Sequence, residues 1–166
     1  VTYRVSDGAG NEGVATRKVT VKDTIAPVIT LAGDAAISHE GGTTYVDAGA
    51  TATDSFEGDL TARIVQVGVV DPDKLGEYKL TYNVSDTSGN AAPEVRRMVT
   101  VVDTTAPVLT LKGSATSTIF LGKPYVDAGA SATDSFEGDL STRVLVGGDT
   151  VDTSKEGVYT ITFNVS

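Results

Sequence analysis

The sequence predicts an all-β chain of tandem antiparallel β-sandwiches, and three observations carry that expectation. The chain matches itself at a spacing of 80 residues: the stretch from Tyr45 to Leu60 recurs as Tyr125 to Leu140 with one change, Thr51 to Ser131. Asp23-Thr-Ile-Ala-Pro27 likewise recurs as Asp103-Thr-Thr-Ala-Pro107, and Tyr82-Asn-Val-Ser-Asp86 echoes Tyr3-Arg-Val-Ser-Asp7. A fixed period of this length marks a repeat architecture. Second, short β-branched runs alternate along the chain, as half-buried strands require. Third, Asp7-Gly-Ala-Gly-Asn, Glu40-Gly-Gly, Asp71-Pro-Asp and Thr87-Ser-Gly-Asn separate them as turns, and no stretch of helical period with caps occurs.

Each element of one unit follows in order. Val28-Ile-Thr-Leu predicts a strand over 28–31, with Pro27 at its start, where a missing N–H is tolerated. A short Ala36-Ile-Ser segment comes next, then a strand over 48–53. The loop 54–60 leads to a strand over 63–67. After a middle segment holding Asp71-Pro-Asp, strands are expected over 78–85 and 95–102. The last runs straight into Asp103, so the connector between units is short and leaves little freedom. The tyrosines and phenylalanine at Tyr78, Tyr82, Tyr159 and Phe163 are read as packing residues of their strands.

Residues 23–102 are thus expected to form a complete repeat and 103–166 a repeat lacking its last strand. Residues 1–22 supply the closing strands of a preceding one. Such open edges invite pairing between copies into a fibre by strand complementation. The preferred expectation is a window cut from a longer array, because residues 1–6 would duplicate a strand already present.

The 166 residues contain no cysteine and carry a net charge of −9. Small domains have little stability to spare and often compensate with disulfides or metals; with no cysteine, disulfides are excluded and a metal stays open. The acidity excludes nucleic acid, whose phosphates need a basic footprint, and anionic membrane surfaces. No run of 18 apolar residues exists, so no helical membrane insertion is expected.

Tyr-x-Asp-x-Gly-Ala-x-Ala-x-Asp followed by Gly-Asp-Leu, together with Ser-Asp-x-x-Gly-Asn and Asp-Thr-Thr-Ala-Pro, resembles the bacterial immunoglobulin-like tandem repeats related to hyalin repeats. Tyr45, Asp47, Gly49, Asp54, Gly58, Asp59 and Leu60 carry the likeness, with Asp86, Gly89, Asn90, Asp103 and Pro107. The resemblance implies an immunoglobulin-like fold and a spacer, adhesive or carbohydrate-associated role on secreted and cell-surface, hence extracellular, proteins.

The loop Asp54-Ser-Phe-Glu57-Gly-Asp59 is the leading candidate for chemistry. It sets three carboxylates within six residues, and calcium takes six to eight oxygen ligands from carboxylates and carbonyls. The spacing is not that of an EF-hand. Loops cluster at the ends of a sandwich, which would bring Asp54, Glu57 and Asp59 towards Asp86 and Asp23. The same logic groups Asp134, Glu137 and Asp139 with Asp103. Such clusters look like the calcium linkers of cadherin repeats. The competing reading is that these acids cap turn amides.

Asp47 and Asp127 are expected to make turn or edge hydrogen bonds, and Ser85 to Asn90 a hairpin turn with Gly89 or Asn90 at positive φ. His39 is the sole histidine, and Ile119 stands 80 residues on, so no repeated Ser-His-Asp or zinc site is expected. Paired carboxylates for glycoside cleavage would need a cleft that end loops do not offer. A Lys79–Asn83 isopeptide bond is disfavoured, since the lysine does not repeat.

No enzyme is therefore expected. The leading function is a structural spacer or stalk repeat that partners neighbouring repeats, is calcium-stiffened at its junctions and is open to fibre assembly. The alternative is an adhesive module for a glycan or a surface protein, against which 6% aromatics and no Trp count.

Overall fold

Strands form where the alternation runs, and side-chain-to-backbone bonds in the Asp- and Ser-rich segments end them. A computed structural model describes all residues 1–166. It is all-β apart from two single 3₁₀ turns, Thr61–Arg63 and Ser141–Arg143. The strands are β1 (Thr2–Ser6), β2 (Glu12–Thr16), β3 (Val28–Leu31), β4 (Ala36–Glu40), β5 (Ala50–Asp54), β6 (Gly58–Asp59), β7 (Val65–Val67), β8 (Gly76–Asn83) and β9 (Val95–Val102). The second repeat adds β10 (Val108–Leu111), β11 (Ala130–Asp134), β12 (Gly138–Asp139), β13 (Leu145–Gly148) and β14 (Ile161–Asn164).

β1 and β2 form an antiparallel hairpin with Tyr3 opposite Ala15. β3 pairs β5, which pairs β6; β10, β11 and β12 repeat that sheet, and Val28↔Thr53 becomes Val108↔Thr133. A four-stranded sheet has the order β4-β9-β8-β7, and β13 pairs β14. β4 runs parallel to β9, from Ala36↔Met98 to Glu40↔Val102. An otherwise antiparallel fold thus holds one parallel ladder. Such a pair needs a long crossover, which the intervening strands supply.

Several boundaries differ from the sequence expectation: the strand expected over 48–53 runs Ala50–Asp54, that over 78–85 runs Gly76–Asn83, and that over 63–67 starts late. Residue 63 lies in a 3₁₀ turn, and the strand begins at Val65. Asp59 Oδ1 accepts the Thr61 N–H at 2.9 Å, and the Thr61 hydroxyl oxygen accepts the Ala52 N–H at 3.1 Å. These local bonds hold the chain out of the ladder. The hairpin turn after β8 takes its positive φ at Gly89 (+89°), where no Cβ opposes it, and Asn90 stays in the ordinary region.

The chain divides into two compact units. One comprises Val1–Ala35, Asp47–Gly68 and Leu80–Arg97; the other comprises Ala36–Val46, Val69–Lys79 and Met98–Ser166. In the first, Ile29, Ala52, Leu60, Leu80, Tyr82 and Val84 are buried. In the second, Val99, Val101, Ala130, Ala132 and Leu140 are buried. Tyr82 meets its packing expectation fully, whereas Tyr78, Tyr159 and Phe163 are half-buried.

The first unit also buries a charge. Arg97 is 0% exposed, and its guanidinium bonds Asp47 Oδ1. Its Nε donates to the Asp34 carbonyl at 2.9 Å, and Nη2 donates to the carbonyls of Ala32 and Gly49. Tyr82 Oη donates to Asp47 Oδ2 at 2.6 Å, and its ring centroid lies 5.9 Å from the guanidinium carbon. Asp47 Oδ2 also accepts the Gly49 N–H at 2.9 Å, and Asp127 Oδ1 accepts that of Gly129 at 2.6 Å. The expected turn bond is therefore present at both positions, and at Asp47 a buried ion pair is added to it.

In the second unit Glu40 clamps the connector after β9. Its Oε1 accepts the N–H groups of Thr104 (2.9 Å) and Thr105 (3.1 Å) and the Thr105 hydroxyl (2.7 Å), and Oε2 accepts the Thr104 hydroxyl (2.7 Å). The Thr104 N–H chiefly, then the two hydroxyls, hold this carboxyl down from 4.5 to about 2. A carboxylate favoured by folding stabilises above its unfolded value, and the effect is lost as pH falls towards the folded one. The clamp is therefore expected to persist below pH 4.5 and to release as pH approaches about 2. A pH titration of the Thr104 and Thr105 amide resonances checks this. A midpoint at the ordinary glutamate value would refute it.

Candidate metal centre

Three aspartates from separate parts of the first repeat converge. Asp54 ends β5, Asp86 follows β8 and Asp23 lies on the connector ahead of β3. One carboxylate oxygen from each lies within 4.8 Å of the others. Asp54 is 7% exposed and Asp86 is 4% exposed.

Local turn chemistry accounts for one oxygen each of Asp54 and Asp23 and for both oxygens of Asp86. Asp54 Oδ1 accepts the N–H groups of Phe56 (2.8 Å) and Glu57 (3.0 Å), and Asp23 Oδ1 accepts that of Ile25 (3.0 Å). Asp86 Oδ1 accepts the Asn90 N–H at 2.7 Å, and its Oδ2 accepts Asn90 Nδ2 at 2.6 Å. Asn90 Nδ2 also donates to the Asp23 carbonyl at 3.2 Å, which ties the connector to the hairpin turn. Burial opposes the charge on Asp86, but the side-chain and backbone bonds from Asn90 outweigh it, so its carboxyl lies below the ordinary 3.8.

The second oxygen of Asp23 and of Asp54 is not accounted for. Asp23 Oδ2 and Asp54 Oδ2 are buried and accept no hydrogen bond. A buried acceptor left unpartnered costs about 1–3 kcal/mol, and more when charged. Like charges this close also repel. Turn capping uses only Oδ1 and explains neither orphan. The hairpin at Asp7 shows the turn alone: Asp7 Oδ1 accepts the N–H of Asn11 at 2.8 Å, Oδ2 accepts Asn11 Nδ2 at 2.8 Å, and Asp7 is exposed. The Asp-x-x-x-Asn turn thus closes without neighbouring carboxylates. An all-oxygen, anionic donor set fits a hard divalent cation of the calcium type, with carbonyls or water completing the shell.

The remaining sequence candidates have other partners. Glu57 Oε1 accepts the N–H and hydroxyl of Thr87, and Oε2 accepts Arg63 Nη1 at 2.9 Å. Arg63 Nη2 also donates to the Ser85 carbonyl at 2.8 Å, so this pair staples the loop to the hairpin. Asp59 caps Thr61, and Asp139 Oδ1 caps Ser141 in the same way at 2.9 Å. Glu137 receives Arg143 Nη1 at 3.2 Å on both oxygens. In the second repeat Asp134 repeats the Asp54 arrangement: Oδ1 accepts the N–H groups of Phe136 and Glu137, and Oδ2 is buried without a partner. Asp103 Oδ1 accepts the Thr105 N–H at 3.3 Å.

Two structurally decisive residues escaped the sequence reading. Arg97 sits in an alternating strand where an arginine reads as solvent-facing. Glu40 reads as part of a Gly-Gly turn, and its partners lie 64 and 65 residues away.

The fold and its repeated loop define a class, the immunoglobulin-like domain arrayed in tandem. The chain belongs to the family of bacterial surface protein Ig-like domains, whose model matches residues 29–101 and again 109–166. Among curated proteins it is similar to the pesticidal crystal protein Cry22Aa of Bacillus thuringiensis, with 33% identity over 129 residues, 74% of this chain and 17% of that protein. It is also similar to an uncharacterised 81.3 kDa protein of Acholeplasma phage L2, with 29% identity over 98% of this chain and 23% of the relative. The chain therefore spans less than a quarter of the length of either. Among solved structures, the lipoprotein BT2262 of Bacteroides thetaiotaomicron aligns over 48% of this chain and 39% of its own at 31% identity, with a TM-score of 0.43. A structure of CBM51-2 in complex with GlcNAc and INT domains from Clostridium perfringens ZmpB covers 54% of this chain and 21% of its own at 22% identity, with a TM-score of 0.38. No helix is long and apolar enough to cross a membrane.

Proposed function

We propose that this chain is a calcium-braced spacer repeat, a non-enzymatic stalk module of a larger bacterial surface or secreted protein. The observation that carries the reading is the pair of buried, unpartnered oxygens of Asp23 and Asp54 beside Asp86. A cation there joins the connector, the loop after β5 and the turn after β8. It neutralises three carboxylates that otherwise repel and fixes Asp23 to the body of its repeat. Membership in a surface-protein family and the 80-residue repeat support the spacer role. Stability gained from an ion instead of a disulfide suits a chain with no cysteine.

The test is calorimetric titration of calcium into the chelator-treated chain, paired with a thermal melt. A saturable site lost in Asp54→Asn supports the brace. Asn keeps the side-chain oxygen that caps Phe56 and Glu57 but removes the charge. Absence of any calcium-dependent heat or melting shift would refute it.

A further inference from the structure

One neutral side chain links two of the converging aspartates. Asn90 Nδ2 donates to Asp86 Oδ2 at 2.6 Å and to the Asp23 carbonyl at 3.2 Å. A primary amide nitrogen carries two N–H donors, so both are engaged here. The bond to Asp23 joins segments 67 residues apart in sequence, the connector and the turn after β8. The connector has two further anchors. Asp23 Oδ1 accepts the Ile25 N–H at 3.0 Å, and Pro27 at the start of β3 is fully buried. With its main chain and Oδ1 held in this way, Asp23 is left with a buried Oδ2 that accepts no bond.

Closure of the turn does not require the bond to Asp23. The hairpin at Asp7 closes with the same spacing: the Asn11 N–H and Nδ2 both reach Asp7, each at 2.8 Å. In the later turn the backbone alone makes two bonds between the same positions. The Asn90 N–H reaches Asp86 Oδ1 at 2.7 Å, and the Asp86 N–H reaches the Asn90 carbonyl at 3.1 Å. What distinguishes Asn90 from Asn11 is the second donation, to the connector.

We infer that Asn90 is a positioning residue of the cation site: its amide holds the connector so that Asp23 presents a carboxylate oxygen beside those of Asp54 and Asp86. This rests on the calcium reading above. The atom that Asn90 turns to the acids is its nitrogen, whereas calcium takes oxygen ligands, so it acts through Asp23 and Asp86. Three like charges within 4.8 Å repel one another. A neutral donor bonded to two of the three segments opposes that repulsion and keeps the oxygens gathered. Groups that orient metal ligands in this way typically change metal affinity by about 10–100-fold when removed.

The probes are calcium, followed by calorimetry, and terbium, a luminescent ion for calcium-type oxygen sites. Each is added to the chelator-treated full chain, unaltered and as Asn90→Ala, Asn90→Ser and Asn11→Ala. Asn90 has an ordinary φ, so either substitution keeps the backbone bond to Asp86 Oδ1. Both changes at Asn90 are expected to weaken calcium binding about 10–100-fold. Terbium on these variants is expected to carry about one more water, because Asp23 leaves the shell. Luminescence decay in H₂O against D₂O counts that water. Asn11→Ala removes the same amide from the matching turn and is expected to leave both readings unchanged. The melt in chelator reports that each variant folds, and a purely structural role would lower that melt without altering affinity or water count. Calcium affinity or water count unchanged in both Asn90 variants would overturn the inference and leave the calcium site standing. Failure of the unaltered chain to bind calcium would instead overturn the calcium reading, and this inference with it.

Discussion

Arg97→Ala is expected to destabilise the first repeat by about 3–5 kcal/mol, enough to consume much of the stability of a domain this size. The substitution strands Asp47, which is only 13% exposed, and removes the donor that serves the carbonyls of Ala32, Asp34 and Gly49. Asp47→Ala leaves the opposite fault, a fully buried guanidinium without its counter-ion. Each single change therefore incurs most of the loss, and the double variant Arg97→Ala/Asp47→Ala is expected to be far less destabilised than the sum of the two. Chemical denaturation of the four proteins measures the coupling. Additive losses would show that the pair is not an energetic unit. The pair also gives a sign for pH. Burial resists the charge on Asp47, but the bonds from Tyr82 and Arg97 prevail and hold its carboxyl below 3.8. Its contribution is present above the ordinary aspartate value and is lost as pH falls below it.

The second large effect is expected of the calcium site proposed above. At a free concentration 100 times its dissociation constant, a ligand bound only to the folded state adds about 2.7 kcal/mol. For a domain of this size that raises the melting temperature by roughly 10 °C or more. Chelator is expected to reverse the rise, and Asp54→Asn or Asp23→Asn to abolish it. The same substitutions are expected to stabilise the chelator-treated protein slightly, because each removes one like charge from a crowded site. That opposite sign separates a metal site from a turn-capping role, under which the substitutions would be neutral or harmful in both conditions. Glu57→Gln serves as the contrast. Its carboxylate is engaged by Thr87 and Arg63, so its loss is expected to loosen the hairpin staple while leaving the calcium response in place.

The strand pattern and the repeat were legible because both are local or periodic properties. Val95–Val102 is a strand in the sequence reading and in the structure, and Val28–Leu31 likewise. The sequence also named Asp23, Asp54 and Asp86 among nine candidate acids, because loops at one end of a sandwich must meet. It could not separate these three from Glu57 and Asp59. All five fall in or beside turn segments that read alike in sequence, and which oxygen faces a neighbour depends on how the turns are closed. Asp59 is occupied by Thr61, two residues on, and Glu57 is long enough to reach Thr87, 30 residues away.

The sequence by itself determined the all-β class, the 80-residue repeat, the family and where most strands fall along the chain, but not the parallel β4–β9 ladder. Hydrophobic alternation, turn residues and internal identity are written along the chain and need no partner to be read. Only the tertiary structure decided that Arg97 is interior, that Glu40 grips Thr104 and Thr105, and that two of the converging aspartates keep a buried oxygen without a bond. These are properties of side-chain direction between segments distant in sequence. A charged residue is judged by what surrounds it in space, and its sequence neighbours do not carry that information.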